Sequence, residues 1–139
     1  MGADTRTIEQ ILKNSRVVAV VGLSPDPSRD SHRIAKYLKN EGFRVIPVNP
    51  NATEVLGEKA YPDLPSVPDR VDIVDIFRRP EHVPPIVDQA IAIGAKAVWM
   101  QLGIVNEEAA QKASGAGLDV VMDRCIMVDH RMLKRQGLL

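Results

Sequence analysis

Apolar positions along the chain fall in short β-branched runs, separated by stretches in which they recur at helical spacing. Val17-Val18-Ala19-Val20-Val21 is continuously apolar and stops at Gly22, the pattern of a strand covered on both faces. Beyond a polar loop, Ile34, Ala35 and Leu38 recur at helical spacing up to Gly42, and glycine is a favoured residue just past a helix end. Phe43 to Val48 reads as a second strand. From Asn49 to Arg70 the chain is loop-like, with Pro50, Pro62, Pro65 and Pro68 interrupting any long helix. A structureless loop of that length is unusual, so a short helix near Thr53 to Leu56 and packing around Tyr61 and Leu64 are predicted within it. Val71 to Phe77 is the third strand, and its alternating aspartates predict a face or edge that is only partly buried. Pro80 stands where a helix can begin, and Val83, Ile86, Val87, Ala90 and Ile91 form an apolar stripe ending at Gly94. Ala97 to Leu102 is strand four. Asn106 to Ala116 is a helix capped by Asn106 with Glu107 and Glu108 in its first turn, and Leu118 to Met122 is strand five. Ile8, Ile11 and Leu12 predict a short N-terminal helix, and Asp129 to Leu139 a final one.

Strands alternating with helices predict an α/β fold, a Rossmann-like doubly wound parallel five-stranded sheet in the order 3-2-1-4-5. Ligands of such sheets bind beyond the carboxyl ends of the strands, where the order reverses. In that order the reversal falls between strands 1 and 4, and the segments following Val21, Val48, Ile76 and Met100 border the site.

The length of 139 residues predicts a single domain over 1–139, at about 100 to 200 residues per domain. Eighteen Lys+Arg balance eighteen Asp+Glu, which removes the general attraction of a basic domain for nucleic acid or anionic lipid. No apolar run approaches the roughly 20 residues needed to span a bilayer, and Met1 to Gln10 has no apolar signal-like core. A cytoplasmic protein is expected. Cys125 is the one cysteine, so an internal disulfide or a multi-thiolate zinc site is excluded.

The loop Gly22-Leu23-Ser24-Pro25-Asp26-Pro27-Ser28-Arg29-Asp30-Ser31-His32 carries one of the three glycines of a dinucleotide fingerprint, which disfavours an ordinary nicotinamide site. It nevertheless brings Ser28, Arg29 and Ser31 to a helix N-terminus, where free N–H groups suit a phosphate. A plain helix cap with a solvated Arg29 is the alternative. Asn49 lies between Pro47 and Pro50 where a nicotinamide enzyme usually offers an acid; rigid, partly apolar walls there suit an adenine ring, and a simple turn accounts for them equally. Arg78 and Arg79 after Phe77 can serve phosphates with charge-assisted bonds or be ordinary surface residues. Trp99 and Gln101 share one face of strand four, and Gly103 permits close approach to the backbone. His32, His82 and His130 have no metal-ligand spacing, and no serine sits in a nucleophile elbow. No catalytic residue and no metal site are expected. Cys125 beside Arg124 can have some thiolate character, or be a packed and inert residue.

Taken together, Val18-Ala19-Val20-Val21-Gly22, Val45-Ile46-Pro47-Val48-Asn49-Pro50, Val55-Leu56-Gly57, Tyr61-Pro62 and Val71-Asp72-Ile73-Val74 resemble, in order and spacing, the CoA-binding domains of succinyl-CoA synthetase alpha and ADP-forming acyl-CoA synthetases. With Phe77-Arg78-Arg79, Trp99-Met100-Gln101-Leu102-Gly103 and Asp123-Arg124-Cys125, the chain from about Ile8 to Asp129 is similar to the small stand-alone CoA-binding proteins of the YccU-like family. The resemblance implies that coenzyme A or an acyl-CoA is bound. Gly22, Leu23, Ser24, Ser28 and Arg29 would hold the pyrophosphate, with Ser31 at the helix start. Pro47, Val48, Asn49 and Pro50 would flank the adenosine, and Phe77, Arg78 and Arg79 would line the other side. Related synthetase domains can place a basic residue after the Asn-Pro turn; here Asn51 stands there, leaving Arg29 or Arg78 to meet the 3′-phosphate. The synthetases also use a phosphohistidine domain and a nucleotide-grasp domain, for which this chain has no room. The resemblance therefore implies binding without catalysis. A CoA-dependent enzyme or redox protein using Cys125, and an interaction protein with a vestigial pocket, are the alternatives. A homo-oligomer or a protein partner stays open.

Overall fold

The computed structural model describes residues 5–139. Five parallel strands, β1 (Val17–Val21), β2 (Arg44–Val48), β5 (Ile73–Ile76), β6 (Ala97–Met100) and β7 (Asp119–Val121), form one sheet in the order β2-β1-β5-β6-β7. Helices α1 (Thr5–Lys13), α2 (Asp30–Asn40) and α5 (Ile126–Arg135) lie on one face, and α3 (Val83–Ala92) and α4 (Glu107–Gly115) on the other. Alternate strand residues feed the two layers: Val18, Val20, Ile73 and Trp99 pack beneath α1, α2 and α5, while Ala19, Val21, Val74, Ile76 and Met100 pack beneath α3 and α4. The doubly wound parallel architecture read from the apolar runs is the one observed.

The strand order differs from the predicted 3-2-1-4-5. Counting the five in chain order it is 2-1-3-4-5, because the third strand pairs with β1 rather than with β2. The reversal therefore falls between β1 and β5. Pro47 accounts for this: its carbonyl accepts the Tyr61 N–H on the outer side of β2, so the position where proline lacks its own donor also faces outward. Proline is compatible with an edge strand and not with a central one. Asp72 and Asp75 do not mark a partly exposed strand either, since both are buried, as is the whole of β5.

Asp72 and Asp75 are buried for opposite reasons. Asp72, just before β5, accepts the Arg16 and Val17 N–H groups at 2.8 and 3.0 Å and pairs with Lys96 at 3.3 Å. Burial opposes its charge, but these donors together outweigh burial and hold the carboxyl below the usual range. Asp75 lies in register with Val20 and Trp99, is 0% exposed and has no hydrogen-bond partner on either oxygen. Burial pushes its pKa well above the ordinary value, favouring the neutral acid.

The connection from 49 to 70 holds no helix at Thr53 to Leu56. It forms a hairpin instead, β3 (Glu54–Val55) against β4 (Glu58–Lys59), because Leu56 and Gly57 both adopt positive φ, 55° and 77°, the backbone of a tight hairpin turn. Tyr61 bridges to Val48, and Leu64, 1% exposed, opens a 3-10 turn capped by Asp63. The N-terminal helix and the Asn106 cap occur as expected, the cap through Asn106 Oδ1 accepting Ala109 N–H at 2.9 Å. The last helix begins and ends earlier than predicted, at Ile126 and Arg135.

Candidate functional site

The carboxyl ends of β1 and β5 meet at the reversal of strand order. Gly22 follows β1 with φ +88° and donates to the Val48 carbonyl at 2.9 Å, while Phe77 N–H continues the β5 ladder to the Val21 carbonyl. The loop after Gly22 closes on itself through short polar contacts. Ser31 Oγ accepts the Ser24 N–H at 3.0 Å, and Asp26 Oδ1 accepts both the backbone N–H and the hydroxyl of Ser28, at 3.0 and 2.8 Å. Those Ser28 donors, the backbone one first, hold the Asp26 carboxyl below its ordinary range. Arg29 stands at the N-cap of α2 without a capping side-chain bond; the first N–H groups of the helix have no intrahelical acceptors.

Two clefts open on either side of the β1–β5 junction, and Arg78 lines both. The smaller, about 230 Å³, is bounded by Val48, Pro50, Arg78 and His82 on the α3 side. The larger, about 530 Å³, runs between the start of α2 and the start of α5, with Phe77, Arg78 and Arg79 at one wall and Gln101, Leu102 and Cys125 among the others. Among the described residues, Arg29, Arg78 and Arg79 form no ion pair, whereas Arg33 at the larger cleft is paired with Asp30 at 2.8 Å.

Helix α5 is set over this cleft by a dense group of bonds. Trp99 Nε1 donates to the Arg124 carbonyl at 2.8 Å, the Ile126 N–H donates to Gln101 Oε1 at 3.1 Å, and Arg124 grips Asp129 through two bonds of 2.8 Å. The carboxylate of Asp129 raises the Arg124 pKa. Tyr37 Oη and His130 Nδ1 meet at 2.8 Å, and Lys134 donates to Glu41 at 2.6 Å, tying α5 to α2. Burial lowers the His130 pKa and raises that of Tyr37.

Of the residues singled out by sequence, Val48, Pro50, Phe77, Arg78 and Arg79 border the clefts directly. Gly22, Ser24, Ser28 and Arg29 form the loop beside them, and Ser31 stands in the first turn of α2. Leu23 is 0% exposed and joins the core, so only its backbone is available, and its carbonyl already accepts Asn49 Nδ2 at 2.9 Å. Asn49 Oδ1 in turn accepts the Asn51 N–H, making this side chain a brace between the ends of β1 and β2. Pro47 is buried within β2. Sequence reasoning left out Arg33, Ile104, Met127 and Val128 of the larger cleft, all of which lie on helix faces or loop turns without a motif. Gln101 and Cys125 carried a signal, their place beyond strands four and five.

The chain is 42% identical over 127 residues to the uncharacterized protein YneT of Bacillus subtilis (strain 168), covering 91% of this chain and 94% of that one. A hypothetical protein from Pyrococcus horikoshii OT3 superposes with a TM-score of 0.92 at 44% identity, over 96% of this chain and 94% of that chain. The acetate–CoA ligase [ADP-forming] I of Archaeoglobus fulgidus is 29% identical over 121 residues, and the match spans 80% of this chain but only 18% of the ligase. The family model described as CoA binding domain matches residues 16–131, and the chain belongs to that CoA-binding domain family.

Proposed function

We propose that the protein binds coenzyme A or an acyl-CoA at the β1–β5 junction and performs no catalysis on it alone. The observation that carries this reading is the position of Arg78, which lines two clefts at once at the point where strand order reverses. One ligand with a planar apolar end, a central pair of phosphates and a long arm matches that arrangement. Family membership supports the same ligand. The adenosine belongs in the smaller cleft against Val48 and Pro50. The pyrophosphate belongs at the loop from Gly22 to Ser31, where the N-terminus of α2 and the unpaired Arg29 favour an anion. The arm then passes Phe77, Arg78 and Arg79 into the larger cleft.

The side chains lining the clefts support binding without catalysis. Among the described residues no His, Cys, Asp and Glu cluster is suited to a metal, and in the larger cleft the Asp30 carboxylate is engaged by Arg33 and makes no hydrogen bond to Cys125. Cys125 and His82 line different clefts. No helix of the described residues is long and apolar enough to cross a membrane.

Calorimetric titration of ligand-free protein with CoA, acetyl-CoA, 3′-dephospho-CoA and NAD tests the reading. CoA is expected to bind, NAD not to bind, and removal of the 3′-phosphate to weaken binding. Failure of CoA to bind, or preference for NAD, overturns it.

A further inference from the structure

We infer that the larger cleft accepts the acyl chain of a CoA thioester, so that the protein selects an acyl-CoA with a linear apolar chain over free CoA. This rests on the CoA reading above and adds the class of acyl group.

The cleft is amphipathic. Arg78, whose Cδ lies close to Gly22, and Arg79 line it beside the loop after β1, the Asp30–Arg33 ion pair lines it at the start of α2, and Leu102, Ile104, Met127 and Val128 supply apolar surface. Leu102 is 70% exposed and Val128 50%. A single exposed leucine needs no explanation; two large exposed apolar side chains lining the same cleft as Arg78 and Arg79 combine hydrocarbon and cationic surface in one site. The thioester arm of an acyl-CoA combines the complementary groups, from phosphate through amides to an apolar tail. At about 530 Å³ the space lies within the usual range for small-molecule sites, about 300–1,000 Å³.

Gln101 adds a polar group to this lining. It is 3% exposed and lines the cleft, and its Oε1 is committed to the Ile126 N–H. That bond fixes the orientation of the carboxamide and leaves its NH₂ group as a donor for an amide or thioester carbonyl of the arm. The bonds from Trp99, Gln101 and Arg124 that seat the start of α5 make the apolar wall part of the scaffold, so it is formed before the ligand arrives.

The experiment is a calorimetric series on the purified protein with CoA, acetyl-, butyryl-, hexanoyl- and octanoyl-CoA. Each methylene fully withdrawn from water tightens binding by about fourfold, so hexanoyl-CoA is expected to bind at least about tenfold more tightly than acetyl-CoA even with partial burial. The double variant Leu102→Ser/Val128→Ser, checked for folding by its melting curve, is expected to lose most of the dependence on chain length. If CoA binds but affinity is flat across the series, or the dependence survives in the double variant, the inference is overturned while the CoA reading stands. If neither CoA nor any thioester binds, the CoA reading itself fails and takes the inference with it.

Discussion

Gly22 and Phe77 approach so closely across the β1–β5 junction that a Cβ on the glycine would lie 2.6 Å from the Phe77 carbonyl oxygen and 3.0 Å from Arg78 Cδ. The contact is to backbone, which cannot swing aside, and the glycine also holds φ at +88°, a region costly for side-chain-bearing residues. The same absence of a side chain brings the ends of the two strands together and places Arg78 between the clefts.

Gly22→Ala is therefore expected to destabilise the protein by about 1–3 kcal/mol and to displace Arg78 from the junction. Urea unfolding reads the first effect and CoA titration the second. An unchanged unfolding midpoint would show that the junction tolerates a methyl group.

Much of this arrangement was legible in the residues, and the parts that were not have physical causes. The apolar runs identified all five sheet strands because β1, β2, β5 and β6 are buried along most of their length, and β7, although Asp119 is exposed, still packs Val120 and Val121 into the two layers. Strand order was not carried by those runs, since β1 and β5 look alike from either neighbour's position. Pro47 held the information, as a residue that cannot occupy the middle of a sheet. Asp72 and Asp75 misled for a different reason. Asp72 is satisfied by two N–H groups and Lys96, contacts from distant segments that no local pattern reveals, and Asp75 is buried without compensation. At the candidate site, Gly22 and Arg29 of the loop after β1 were visible as residue types. Met127 and Val128 were not, because their place in the cleft depends on how Trp99 and Gln101 seat α5.

The uncompensated Asp75 makes stability depend on pH in a direction opposite to that of Asp72. An unfolded aspartate titrates near 3.9, whereas burial in the fold raises Asp75 well above that. Between those two values the folded chain keeps a proton that the unfolded chain has released, so this group's contribution to stability falls as pH rises. Asp75→Asn removes the titration at nearly constant shape. The variant's stability relative to the native protein is expected to climb from about pH 4 upward, at up to about 1.4 kcal/mol per pH unit, before levelling off above the folded pKa. Urea unfolding of both proteins across pH checks this. A difference independent of pH would mean that Asp75 does not titrate between the two states.

Arg29 stands at the N-cap of α2 without a capping bond and without an ion pair among the described residues. Its removal should therefore cost the fold little. Arg29→Ala is expected to leave the melting temperature nearly unchanged and to weaken CoA binding by about 1.5–3 kcal/mol, the range for hydrogen bonds to charged groups. Repeating the titration with 3′-dephospho-CoA completes a cycle in which loss of the mutational effect assigns Arg29 to the 3′-phosphate and its persistence assigns it to the pyrophosphate. Arg78→Ala, measured the same way, decides between the two arginines. Unchanged CoA affinity in Arg29→Ala would remove Arg29 from the site.

Cys125 gives a probe of where the arm of the ligand runs. It is half-buried at the N-cap of α5 and lines the larger cleft with Phe77 and Leu102, so a reagent reaches it through the space assigned to the arm. Being the one cysteine of the chain, it reports without interference from other thiols. Saturating CoA is expected to slow its alkylation by iodoacetamide severalfold or more, and a fatty acyl-CoA to slow it further. Adenosine 3′,5′-bisphosphate, which lacks the arm, should leave the rate nearly unchanged. This comparison separates direct cover of the thiol from a general tightening of the fold, because the bisphosphate occupies the adenosine end alone. Alkylation at the free-protein rate under saturating CoA would place the arm outside the cleft between α2 and α5.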